Sequence, residues 1–194
     1  MAKAGKSAVT SNTPKAIVFR AGTIHRGLKI ENGSHNGADT MIGATQGGAT
    51  LNITPEFTAI EADGALVAWV GQKQKTGEKA TLKIKALELR KELLVDAVAG
   101  ETTESTITGH DVIKSKAAIT KESYAENIAI IGQTVEGKDC IVILPNALCV
   151  NGLELNTEDK TPSVVELEYE CHADPDTSDL DVLPWEIHWP TITA

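Results

Sequence analysis

The chain has 194 residues, a formal net charge of −9 and a 41% apolar share. That suits one domain with a core of its own, since single domains run to about 100–200 residues. Aromatics make up 4%, too few for the stacking platforms that grip single-stranded nucleic acid, and the acidic balance argues against tight phosphate binding, which Lys and Arg carry. No apolar run approaches the ~18 residues of a membrane span, and residues 1–15 lack the apolar stretch of a signal peptide. Cys140, Cys149 and Cys171 are too widely spaced for a disulfide framework and fit a reducing cytoplasm.

Charge is unevenly placed. Residues 1–100 carry 13 Lys+Arg against 9 Asp+Glu, and residues 101–194 carry 5 against 18. Such a split reads either as two surfaces of opposite sign or as a solubilising acidic half.

In chain order, residues 1–15 are small, polar and slightly basic, and read as a flexible arm ahead of a single domain over 16–194. Ala16–Phe19 and Leu28–Ile30 are short apolar runs suited to strands. Gly33, Gly37, Gly43, Gly47 and Gly48 then mark a bending region. From Thr50 the pattern alternates, with Leu51, Ile53 and Phe57 on one parity, which predicts a half-buried strand. Pro55 cannot donate to a ladder, so this strand lies at an edge or is bulged there. Residues 62–77 hold three glycines, Trp69 and a basic tip at Lys73–Lys75, a hairpin or a long loop. Ala80, Leu82, Ile84 and Ala86 alternate with Thr81, Lys83 and Lys85, a second clear strand.

One helix is predicted, over Leu87–Ala99, with Leu87, Leu94 and Val98 on one face, Leu93 and Ala97 beside them, and Gly100 as its C-terminal cap. Beyond it, Asn127–Val135 and Cys140–Leu148 flank Glu136-Gly137-Lys138-Asp139 in the manner of a hairpin. In Val164–Cys171, Val165, Leu167, Tyr169 and Cys171 alternate with Val164, Glu166, Glu168 and Glu170. The total is seven or eight strands and one helix: a mainly β chain, sandwich-like or barrel-like, with the helix flanking it.

The sequence carries no complete catalytic or ligand-binding motif. Gly43-Ala-Thr-Gln-Gly-Gly48 has phosphate-loop spacing, but Ala49 stands where the phosphate-binding Lys belongs and a strand follows instead of a helix. The five His form no zinc motif. Asp174, Asp176, Asp179 and Asp181 crowd one stretch, which reads as a solvated acidic loop or a cation site, although the spacing of a calcium loop is missing. No Gly-x-Ser-x-Gly elbow is present. The expectation is a protein without catalysis, cofactor or bound metal. Trp69, Trp185 and Trp189 are either core residues or contacts to a neighbouring subunit, where Trp is enriched.

Residues 43–100 carry a resemblance. A Gly-turn (Gly43–Gly48) leads into the alternating strand Ala49–Ala59. After a variable loop comes Gly77-Glu-Lys-Ala-Thr-Leu-Lys-Ile-Lys-Ala-Leu-Glu-Leu89, running directly into the Leu/Ala-rich helix. Over about a third of the chain this resembles the central part of the major tail tube proteins of long-tailed bacteriophages, a pattern shared with contractile-tail and type VI secretion tube proteins. The resemblance implies a virion structural protein whose copies form hexameric rings stacked into a tube. Double-stranded DNA would pass through it transiently and without sequence preference. Other tail proteins (tape measure, terminator, baseplate or tip) would be partners, and assembly would occur in the host cytoplasm. Three features agree with it: edge strands that a ring would pair, an acidic wall that does not adhere to DNA, and the charge split between the halves. If that split stacks the rings, Lys73, Lys75 and Lys79 would face acids of 154–181 in the next ring, making assembly salt-sensitive. Inter-subunit contact candidates are therefore Trp69, Lys73, Lys75, Lys79, Trp185 and Trp189. The alternative is a monomeric β-sandwich module that binds carbohydrate or serves as an adhesin.

Overall fold

The computed structural model describes residues 9–18, 22–176 and 179–191. The first eight residues of the expected arm, and Phe19 of the first apolar run, lie outside the described residues. Within the rest of the arm, Thr13–Ala16 forms one helical turn (α1), started by Pro14 near its beginning.

The described chain is mainly β. Its strands are β1 (Thr23–Arg26), β2 (Ile30–Glu31), β3 (Ser34–His35), β4 (Thr45–Ala59), β5 (Lys73–Ala86), β6 (Glu101–Glu104), β7 (Asp111–Lys114), β8 (Ala125–Gln133), β9 (Asp139–Cys149), β10 (Val165–Cys171) and β11 (Glu186–His188). Gly37–Thr40 (α2) and Lys91–Ala97 (α3) are helical. The main sheet runs β1-β8-β9-β10-β5-β4, antiparallel throughout, with β11 added alongside β9. β2–β3 and β6–β7 are separate small hairpins.

The sheet curls without closing, so the barrel-like alternative is corrected to an open sheet. Ile24 from one end and Leu82 and Ile84 from the other share a single buried cluster with Ile128, Leu144, Leu167 and Tyr169. The gap between β1 and β4 is spanned by residues 41–45: Met41 bridges to His25, the Ile42 amide donates to Ile24 O, and Thr45 pairs with Ala86. A smaller cluster, Leu28, Ala129, Ile131, Ile141 and Ile143, covers the other face of β8–β9. Burial on both faces explains why these two strands read as continuous apolar runs. Along β9 the inward-facing positions change parity. Val142 and Leu144 face the main cluster first, then Ala147 and Cys149. The change occurs at Pro145-Asn146, where Asn146 takes a left-handed φ of 48°, a conformation that Asn tolerates better than most residues.

The alternating strands behave as their pattern predicts. Ala80, Leu82, Ile84 and Ala86 of β5, and Val165, Leu167, Tyr169 and Cys171 of β10, are all buried. Three expectations need correction. The Gly43–Gly48 segment is no turn ahead of the strand: β4 already begins at Thr45 and is bulged between Thr45 and Ala49, with Gly47 and Gly48 at φ 90° and 77°, backbone that glycine adopts without a Cβ penalty.

The helix is shorter than 87–99. Leu87 and Glu88 spend their amides on Ala44 O, and Arg90 is extended. Its buried face is Leu93, Asp96 and Ala97, while Val98 is exposed. The cap shifts by one residue too: Ala99 takes the left-handed position (φ 45°), its amide donating to Asp96 O and that of Gly100 to Val95 O, a Schellman arrangement. Gly100 serves close approach instead, since a Cβ there would sit 2.6 Å from Lys114 O.

Asp96 explains the displaced helix face. Arg26 donates Nε to its Oδ2 (2.9 Å) and Nη2 to its Oδ1 (3.1 Å), and the Tyr169 hydroxyl donates to Oδ2 at 3.4 Å. The bidentate pair fastens α3 to β1, and the Tyr169 hydroxyl bond ties it to β10. Burial, with Asp96 beside it, raises the Tyr169 phenol well above its ordinary range.

Candidate assembly surface

β4 and β5 form a hairpin whose two halves differ. Near the core, the β5 residues Ala80–Ala86 are covered on one face by α3 and the curled sheet. Beyond Thr54, paired with Lys79, the strands run on as a two-stranded ribbon to Ala59 and Lys73. There nearly every position of both strands is exposed. Pro55 lies on this stretch, opposite Glu78 and next to a register shift between Glu56 and Phe57, so it is both at an edge and beside a bulge. The outer side of β4 has no strand partner among the described residues.

The ribbon ends in a loop over 60–72 whose tip is bare: Leu66 is 98% exposed and Val70 102%, with Val67 and, less fully, Trp69 exposed beside them. The apolar run Ala65-Leu-Val-Ala-Trp-Val70 lies between Gly64 and Gly71, both with positive φ. That run was readable in the sequence and is the part of this surface that a search for charged and aromatic contacts passes over.

The candidate contact residues fall in different places. Trp69 is at the ribbon tip, and Trp189 is exposed just past β11. Trp185 packs against the main core, and its Nε1 donates to Glu78 Oε2 at 3.1 Å. Lys75 pairs with Glu78 at 2.9 Å, and hydrogen bonds from Lys75 and then Trp185 hold that carboxyl below its ordinary range. Lys73, Lys75 and Lys79 are strand residues rather than loop residues, opposite Ala59, Phe57 and Thr54.

Lys79 already meets an acid of the 154–181 segment within its own chain, Glu170, at 2.9 Å. It begins a ladder that continues as Lys83–Glu168 (3.0 Å) and Lys85–Glu166 (3.9 Å) across β5 and β10. The basic and acidic halves of the sequence are thus matched partly in register, on one outward sheet face. Lys73 alone of the three lysines has no ion pair with a described residue.

Two concave features complete the surface. A groove of about 350 Å³ lies between α3 and the β6–β7 hairpin, lined by Leu94, Val98, Ile113, Lys114, Ser115 and Leu153. A cleft of about 370 Å³ is lined by Tyr124, Asn146, His172 and the acidic stretch. Tyr124 and His172 meet edge to face at 5.2 Å there. Lys121 Nζ sits between Asp174 (2.6 Å) and Asp176 (3.4 Å). The chain's own ammonium therefore occupies the position a cation would take between those acids. No group of His, Cys, Asp and Glu able to hold a metal forms among the described residues, and no described helix is long and apolar enough to cross a membrane.

The class these observations define is a mainly β protein built on one curled, open antiparallel sheet with a projecting ribbon. No protein-family model matches the chain, and no curated protein matches it. Among solved structures, a chain of the anti-feeding prophage baseplate, solved by cryo-EM with six-fold symmetrisation, is similar at a TM-score of 0.46 and 15% identity, over 79% of this chain and 89% of that one. A chain of the native gene transfer agent virion is similar at a TM-score of 0.40 and 9% identity, over 79% and 92%.

Proposed function

We propose that this chain is a non-catalytic structural subunit of a virion tail. Its copies join into rings, hexameric as the resemblance of residues 43–100 implies, and the rings stack into a tube that carries duplex DNA. The observation that carries the reading is the ribbon. A two-stranded ribbon exposed on both faces is marginal alone, a long unpaired edge strand invites another chain, and the apolar tip has no cover in its own fold. All three are met when neighbouring copies supply the missing surfaces. Partners in this reading are other copies and the remaining tail proteins, and assembly precedes release from the host cytoplasm.

The outward face of β5–β10 suits a DNA conduit. Its lysines are neutralised by glutamates one strand away, so a passing duplex meets few free cations that could release its counterions and hold it. Negative-stain microscopy of concentrated protein tests the reading, with rings or tubes expected.

The cleft at Tyr124 and His172 favours a second reading, a monomeric carbohydrate-binding or adhesin module. A chain that stays monodisperse with and without tail partners, and is retained on a sugar matrix, would replace the first reading with this one.

A further inference from the structure

The groove between α3 and the β6–β7 hairpin is lined by Leu94, Val98, Ile113, Lys114, Ser115 and Leu153. Val98 and Leu153 on its walls are 41% and 39% exposed, while Leu94 and Ile113 form its half-buried floor. Lys114 stands exposed at its rim and makes no ion pair with a described residue, not even with Glu101, which lies opposite it in the hairpin. A concave apolar surface with one unmatched cation at its edge is a receptor for a convex apolar segment carrying acid.

The ribbon loop is such a segment. It presents Leu66, Val67 and Val70 at its tip, with Glu61 and Asp63 exposed beside them and in no ion pair with a described residue. The convex and concave elements match in polarity and in sign of charge, and the extreme exposure of the tip shows that its own chain does not cover it. We propose that the groove beside α3 receives the ribbon loop of a second copy, with Leu66 and Val70 seated against Val98 and Leu153, and Lys114 meeting Glu61 or Asp63. The contact is heterologous: each copy offers a tip and a groove at different places, so successive copies add head to tail. The proposal rests on the self-assembly reading and supplies its docking site.

Complementary variants of the full chain test it. A tip variant (Leu66→Asp with Val70→Asp) and a groove variant (Val98→Asp with Leu153→Asp) change exposed residues, and thermal melting checks that both fold as wild type. In sedimentation velocity, each variant alone is expected to lose the large species that wild type forms. An equimolar mixture is expected to regain a species larger than either alone, because the groove variant still has a native tip and the tip variant a native groove. Should the groove variant melt early, Lys114→Glu takes its place, with recovery by Glu61→Lys and Asp63→Lys. Groove variants that assemble as wild type does, or a mixture no larger than its parts, overturn the docking while leaving self-assembly standing. A wild-type chain that never assembles overturns both.

Discussion

The two halves of the β4–β5 hairpin are one ladder under two sets of rules. Near the core, alternation governs β5: one parity is buried, and the other, apart from the buried Thr81, carries lysines matched to the glutamates of β10. In the outer half the ladder continues, but past Glu78, which Trp185 covers, both strands are exposed, and what was a core position becomes Phe57, 56% exposed. Hydrogen bonding propagates a strand pair beyond the point where burial supports it. The outer half is therefore the place where another surface is wanted, and the inner half is where stability resides.

The largest effects should sort the two halves. Leu82→Ala, at a fully buried site, is expected to cost about 3 kcal/mol, whereas Phe57→Ala should cost less than about 0.5 kcal/mol in the monomer; urea unfolding of both variants measures the difference. A Phe57 cost near that of Leu82 would mean that the ribbon is packed in the isolated chain. Next comes Asp96→Ala, which strands the Arg26 guanidinium and the Tyr169 hydroxyl. Because Arg26 is a third exposed and can turn partly to water, a loss of about 2–3 kcal/mol is expected.

Gly47→Ala forces a side chain onto φ 90° in the bulge at the core end of β4, for a loss of about 1 kcal/mol by thermal melting. A smaller effect should come from pH. His25 is buried, with Nε2 at 2.8 Å from Thr23 Oγ1 and Nδ1 at 3.2 Å from Thr40 Oγ1. Burial first, then the nearby His35, holds His25 below its ordinary value of 6.5. As pH falls below that value, the unfolded chain takes up the proton before the folded one, so stability declines with falling pH in this window. Urea midpoints at pH 7.5 and 5.5 should differ for wild type, and by less for His25→Asn. Smallest of all, Lys83→Ala breaks one exposed pair with Glu168 and should change stability by under about 0.5 kcal/mol.

What the sequence revealed follows the same division. The inward positions of β5 and β10 were legible because one buried face imposes a period of two. The hairpin around Gly137 was legible because its turn needs a positive φ, here 82°. Burial of Asp96 was not legible: an acid on a predicted helix reads as solvent-facing until the Arg that neutralises it, 70 positions away, is known to be adjacent. The same holds for α3, since the amides of Leu87 and Glu88 are claimed by a carbonyl in a segment that no local pattern links to them. On the assembly surface, the lysines were legible as charges but not as cross-strand partners, because pairing Lys79 with Glu170 requires the strand order. The apolar tip was legible as composition, and the groove it fits was not, since its walls come from three separated segments.

The strand order also has a mechanical consequence. β5 lies between β4 and β10 and runs unbroken from the ribbon tip into the main cluster, so no joint separates the two. A pull along the ribbon would load the β5–β10 hydrogen bonds in shear, side by side, and pass straight into the core. A pull on the three-residue β11, paired with β9 only through Glu186–His188, would meet those few bonds and no more. In any polymer joined through its ribbons, tension would thus be borne by the best-buried strand of each subunit, while β11 could peel away without the load path being cut.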